Sequence, residues 1–198
     1  MFTYDQAREL LYTHIQNQNL RRHCYAVAAV MEALAKELRT KNSELNTEDF
    51  DEERWEIAGL VHDADYEETK SDTSKHVLTV IPWLKEAGAD EKIIEAVLAH
   101  GWKFVEGCPE PKNHMEWSLY CCDELTGFII AVALVRPEKK LAVVTVDSVL
   151  SKFPKKAFAA AVDREQIGMC EEKLGIPLPD FVGIALHAMQ SISRELGL

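Results

Sequence analysis

Residues 55–67 read Trp55-Glu56-Ile57-Ala58-Gly59-Leu60-Val61-His62-Asp63-Ala64-Asp65-Tyr66-Glu67. Trp55, Ala58, Gly59 and His62 recur at the three- and four-residue steps of one helix face, so an imidazole closes an apolar stripe with a carboxylate beside it. An ionised Asp on such a face is expensive to bury alone. A neighbouring His and Asp can hold one divalent ion together or bridge two, which removes that cost. Imidazole with carboxylate is also the donor set that zinc, iron, manganese and nickel accept.

Working outward, four more segments repeat the arrangement. His23 precedes Val27, Val30, Met31 and Leu34 on the inner face of a helix expected over about 20–39. His100 closes Ile93, Ala96 and Val97 and is followed by Gly101, a helix-ending residue. Asp123 follows Tyr120 and precedes Gly127, Ile130 and Leu134 on a helix that Asn113 and Glu116 open and Pro137 stops, with its end expected at Arg136. His76 falls on a helix that would also contain Pro82, where a proline costs about 3 kcal/mol, so that helix either kinks at Ile81 and Pro82 or divides in two. A single histidine on an apolar face is more often a hydrogen-bonded core residue than a ligand. Five segments that each turn an imidazole or carboxylate inward reverse that expectation.

The order His23, His62-Asp63, Asp123 resembles the HD-domain superfamily of metal-dependent phosphohydrolases, whose pattern is a His, a His-Asp pair and a distant Asp. The resemblance spans the chain and is nearest to small prokaryotic HD-domain proteins. These often carry a small residue and then Gly after the pair, whereas Asp65 stands here where that Gly would be. His76 and His100 resemble the extra ligands of the two-metal subset. By that resemblance His23, His62, Asp63 and Asp123 hold one ion, while Asp63 bridges to a second held by His76 and His100. The cyclic-dinucleotide branch is set aside because its Gly-Tyr-Pro and His-His-Glu signatures are absent after His100. The alarmone-hydrolysing branch is set aside because Glu67-Glu68 stands where it has Glu-Asp.

The resemblance implies an all-α bundle and a hydrolase acting on a small phosphate ester or nucleotide through metal-activated water. The cofactors would be two divalent transition-metal ions (Fe, Mn, Ni, Co or Zn) about 3.5–4 Å apart, with His62 and Asp63 central to catalysis. Asp65 or Glu67 could donate a proton to the leaving group. Arg22 beside His23, Lys75 beside His76 and Lys103 just past His100 are candidates to grip the phosphate. The same ligands also resemble those of HD-fold di-iron oxygenases, which is the second reading. A non-catalytic module that binds metal and nucleotide is the third.

Composition bounds the alternatives. The length of 198 residues, 47% of them hydrophobic, fits one domain, with a metal-binding core over about 20–136 and supporting helices over about 145–198. Twenty-two Lys and Arg against 33 Asp and Glu give a net charge of −11, which argues against a long nucleic-acid partner. It leaves room for a small phosphorylated one, because two divalent ions would make the site itself positive. Cys24, Cys108, Cys121, Cys122 and Cys170 form no C-x-x-C pair and read as reduced thiols of a cytoplasmic protein. The start carries no signal-peptide pattern, and the longest apolar run, Phe128 to Val135, is too short for a membrane span.

Thr3 with Gln6 forms a capping-box pattern for a first helix, Asp163 to Leu174 is a helix ending at Gly175, and Pro179 opens the last one. Leu141 to Val146 has strand-like composition, although Thr145 could equally cap a helix. His14, His114 and His187 stand outside the ligand pattern, and only His114 is placed to reach a pocket mouth. No nucleophile elbow, P-loop, dinucleotide fingerprint or H-E-x-x-H motif occurs.

Overall fold

Polar side chains cap the starts of most of the longer helices in the computed structural model, which describes residues 2–42 and 47–198, and the caps at Thr3 and Asn113 fall where the sequence places them. Thr3 and Gln6 close a reciprocal capping box on α1 (Tyr4–His14). Asn17 caps α2 (Gln18–Lys41), and a 3-10 turn (Thr47–Phe50) leads to Asp51, which caps α3 (Glu52–Val61). Next come the short α4 (Tyr66–Thr69), a 3-10 turn (Thr73–Lys75) and α5 (Val80–Glu86). Asp90 caps α6 (Glu91–His100) and Asn113 caps α7 (His114–Leu134). A 3-10 turn (Leu141–Val143), α8 (Val146–Leu150), α9 (Arg164–Leu174), α10 (Leu178–Ser191) and α11 (Ser193–Leu196) complete the chain. The described residues contain no strand.

α2 lies at the centre, packed on α3, α7 and α10, while α6 and α9 cover α7. The crossing of α2 and α3 is so close that a Cβ on Gly59 would stand 2.8 Å from the backbone N and Cα of Ala28. A glycine is therefore needed one turn before His62, and this approach brings His23 on α2 and the His62–Asp63 pair after α3 to one place. α7 is long and apolar enough to cross a membrane by length and composition, but 67% of its most apolar window is buried inside the protein. It is apolar around most of its surface because neighbours surround it.

Three local expectations are corrected. No helix carries His76. The residue ends the 3-10 turn, and α5 starts four residues later with Pro82 third in it, in the first turn, where a missing N–H breaks no helical bond. Between them Val77 is fully buried at φ 69° and Leu78 N–H bonds His76 C=O at 2.8 Å, a γ-turn centred on a β-branched residue in the left-handed region. The Asp123 helix stops at Leu134, two residues short of Arg136. Leu141–Val146 is no strand: Thr145 and Ser148 make a capping box for α8.

Candidate metal centre

The end of α3, the turn before α5, the last turn of α6 and the inner faces of α2 and α7 deliver the four imidazoles and two carboxylates to one spot. His23 Nε2 lies 2.9 Å from Asp123 Oδ1 and 3.5 Å from Asp63 Oδ2. His62 Nε2 is 3.5 Å from both Asp63 Oδ1 and Asp123 Oδ1. His76 and His100 point Nε2 at Asp63 Oδ1 from 3.3 and 3.5 Å. Two donor atoms each about 2.1 Å from one ion stand about 3.0 Å apart along an octahedral edge and about 3.4 Å along a tetrahedral one. The observed spacings are those of ligands that share ions. Two overlapping groups, His23–His62–Asp123 and His62–Asp63–His100, each keep their ligand atoms within 4.8 Å of one another.

The outer nitrogens fix which inner atom is available. His62 Nδ1 donates to Gly59 C=O and His100 Nδ1 to Val97 C=O, both at 2.8 Å. His76 Nδ1 donates to Asp65 Oδ1 at 2.8 Å. The Thr126 hydroxyl gives its proton to Asp123 C=O and accepts from His23 Nδ1 at 3.3 Å. With all four Nδ1 atoms donating, all four Nε2 lone pairs face inward, the arrangement that metal-ligating histidines adopt. His62 Nε2 is buried without any hydrogen-bond partner, a position that an ion satisfies and an apolar core does not. The residues therefore fit divalent ions.

Protons compete for the same nitrogens. Burial opposes the charge of His62, yet Asp63, Asp123 and the Gly59 carbonyl outweigh it and raise the imidazole to about 9. Burial likewise opposes charge on His76, but Asp63 and Asp65 lift it to about 10. Against their own burial, the facing imidazoles hold Asp63 and Asp123 below the usual carboxylate range. Burial pushes the thiols of Cys24 and Cys122 up, which keeps these neighbours of the ligands protonated and outside the donor set.

The proposed proton donors are committed elsewhere. Asp65 is fully buried and accepts the His76 ring and the Val80 N–H at 3.0 Å, so it orients a ligand and meets no solvent. Glu67 accepts the N–H groups of Gln16 and Asn17 at 2.7 and 3.0 Å; these bonds lower its pKa, and it ties the α1–α2 link to the loop. The proposed phosphate-gripping residues also lie apart. The Arg22 guanidinium packs where a Gly197 side chain would begin, Lys75 pairs with Asp72 at 2.9 Å, and Lys103 sits 4.2 Å over the Trp102 ring.

A cavity of about 390 Å³ opens onto Asp63, His76, His100 and Asp123. Its outer wall is Tyr66, Thr73, Phe104, Val105, Glu124 and Gln166, and none of the described residues lining it is Lys or Arg. Glu124 and Gln166 were not singled out from the sequence. Burial and the neighbouring Asp123 push Glu124 up to about 7. Gln166, on α9, gives Nε2 to Tyr120 C=O at 2.7 Å and leaves its buried Oε1 without a partner. His114 does not reach this cavity; it lines a separate one of about 160 Å³ with Phe50 and Lys92. His14 stacks on Trp83 and bonds Glu68.

A family model described as HD domain matches residues 20–121, a span that includes His23, His62, Asp63, His76 and His100 and ends just before Asp123. No curated protein and no solved structure matches the chain.

Proposed function

The chain belongs to the HD-domain family, and from that premise we propose that it is a hydrolase that uses two divalent transition-metal ions to cleave a small phosphate ester. The observation that carries the reading is the convergence of four Nε2 atoms on Asp63 and Asp123, each imidazole anchored from behind through Nδ1. Divalent ions at these ligands would lower the pKa of coordinated water, orient phosphoryl oxygens and take up charge on the leaving oxygen. The chain's own part is positional. Asp63 faces all four imidazoles and so ties the two ligand groups together. The Nδ1 bonds hold the rings, and the cavity wall confines the ester. The P–O bond to the leaving group breaks, a water oxygen bonds phosphorus, and one water proton passes to the leaving alkoxide.

A second reading, an HD-fold di-iron oxygenase, draws on one observation: no cationic side chain among the described residues lines the cavity to receive a phosphate. One experiment separates the two. Protein reloaded with Mn²⁺, Fe²⁺ or Co²⁺ and given phosphomonoesters, nucleotides and an aryl phosphate should release phosphate equally with and without air. It should hold about two ions per chain, with about one retained in His100→Ala. His62→Ala or Asp63→Ala should abolish turnover. Turnover that needs O₂ and iron transfers the function to the oxygenase, and a single ion that is indifferent to His100→Ala ends the two-metal reading.

A further inference from the structure

We infer that the substrate is a phosphate monoester whose remainder carries no negative charge and offers an aromatic or apolar face with a hydrogen-bond donor, so that di- and triphosphates and carboxylated esters are excluded. This rests on the phosphohydrolase reading and names the substrate class of that same site. Charge balance comes first. Two divalent ions less the charges of Asp63 and Asp123 leave about +2, the complement of one phosphoryl dianion and no more. No described Lys or Arg lines the cavity to add to it.

None of the cations near the ligands in sequence lines the cavity: Lys75 pairs with Asp72, Lys103 lies over Trp102 and the Arg22 guanidinium packs beside Gly197. Arg164, just before Gln166, donates to the carbonyls of Phe153, Phe158, Ala159 and Val162. A second anionic group on the ligand would sit in a partly enclosed, poorly screened space without a cationic side chain to meet it.

The remaining wall is apolar and aromatic. Phe104 is 58% exposed and Tyr66 39%, large rings left uncovered at the cavity. The Tyr66 ring also stands edge-on to His76, with centroids 5.4 Å apart, so the aromatic surface runs down to a metal ligand. Beside it Gln166 is only 2% exposed, and its Oε1 is a buried acceptor whose orientation is set because Nε2 must donate to the Tyr120 carbonyl. A buried acceptor without a partner is costly, and a hydroxyl or N–H on the ligand would relieve it.

Phosphonates, whose P–C bond resists hydrolysis, test binding apart from turnover. Phenylphosphonate, 3-aminopropylphosphonate and 3-phosphonopropionate share the head group and differ in the charge of the remainder. By calorimetry on the metal-loaded protein, the first two should bind at least about tenfold tighter than the third. Phe104→Ala should weaken phenylphosphonate alone. If 3-phosphonopropionate binds as well as the others while binding still requires metal, the charge rule is overturned and the phosphohydrolase reading stands. If no phosphonate binds, or binding survives chelation, the phosphohydrolase reading falls and takes the rule with it.

Discussion

Asp65→Asn changes one atom type in a fully buried side chain and should weaken the binding of one metal ion about 10- to 100-fold while leaving the other's nearly intact. In the protein Oδ1 accepts the His76 Nδ1–H at 2.8 Å and Oδ2 accepts the Val80 N–H at 3.0 Å. The Val80 amide can only donate, so the single oxygen of Asn must face it and the NH₂ must face His76. His76 Nδ1 then has to accept, which moves the ring proton to Nε2, the atom 3.3 Å from Asp63 Oδ1. A protonated Nε2 cannot bind metal. Restoring the other tautomer sets two donors against each other in a buried site, at about 1–3 kcal/mol. That range agrees with the 10- to 100-fold loss of affinity, about 1.4–2.7 kcal/mol, usual when the group behind a ligating histidine is altered. None of the hydrogen bonds or ion pairs of His23, His62 and Asp123 involves Asp65, so their ion should shift by less than about threefold. Competition with a chromogenic chelator gives both stepwise affinities. Both staying within threefold of wild type would refute the positioning role; both falling together would mean that Asp65 holds the fold rather than His76.

Two further outcomes test the surroundings. His62 and His76, raised to about 9 and 10, bind protons more tightly than in the unfolded chain. In chelator-treated protein their stabilising contribution is therefore complete below about pH 6.5 and is lost as pH rises through 9–10, the window in which metal affinity grows. The melting-temperature gap between metal-loaded and chelator-treated protein should widen from about pH 6.5 to 9, and a constant or shrinking gap contradicts the proton–metal competition. Gly59→Ala places a Cβ 2.8 Å from Ala28 backbone, which no rotamer relieves. It should cost about 1–3 kcal/mol in denaturant unfolding and weaken metal binding, since α2 and α3 carry His23 and His62; a loss under about 0.5 kcal/mol would show that the helices separate freely.

The ligands were legible because two of the segments are helices whose apolar stripes aim His23 and His100 inward and a third, α3, leads into His62; the stripe expected with Asp123 on α7 is only half-buried at Gly127 and Ile130 and is exposed at Leu134. What sequence reading missed lies where the chain leaves that periodicity. The sequence places His76 on a helix because no propensity marks a γ-turn through a buried Val77; Pro82 is the signal, and instead of a kink or a junction of two helices it marks the first turn of α5. Asp65 and Glu67 read from the sequence as candidate proton donors. Their partners lie 11 and about 50 residues away, beyond any local pattern. The three cations were chosen for adjacency to ligands, yet neighbours on a helix diverge by about 100°, a rule that bears on any side chain next to a helical ligand. Applied equally to Arg22, it would have placed that side chain outside the site. Gln166 comes from a segment expected only to support the core, and nothing local distinguishes it from any other helix glutamine.

The two ligand groups also differ in how they are held. His23 and Asp123 are on long helices and His62 follows the tight α2–α3 crossing, so those positions are fixed by packing that persists without an ion. His76 sits on a turn whose neighbour Val77 stores backbone strain, pinned by one bond to Asp65 and by contact of Val77 with Gly101, where an added Cβ would stand 3.1 Å from Cγ2. Strain is retained only where surrounding contacts over-determine it, and an ion held by His76, His100 and Asp63 would supply one of those contacts. Local opening is easiest where few buried bonds hold the chain. An ion on the His76 side would therefore be the one whose binding is coupled to the ordering of this turn, so a one-atom change in Asp65 should read out there first.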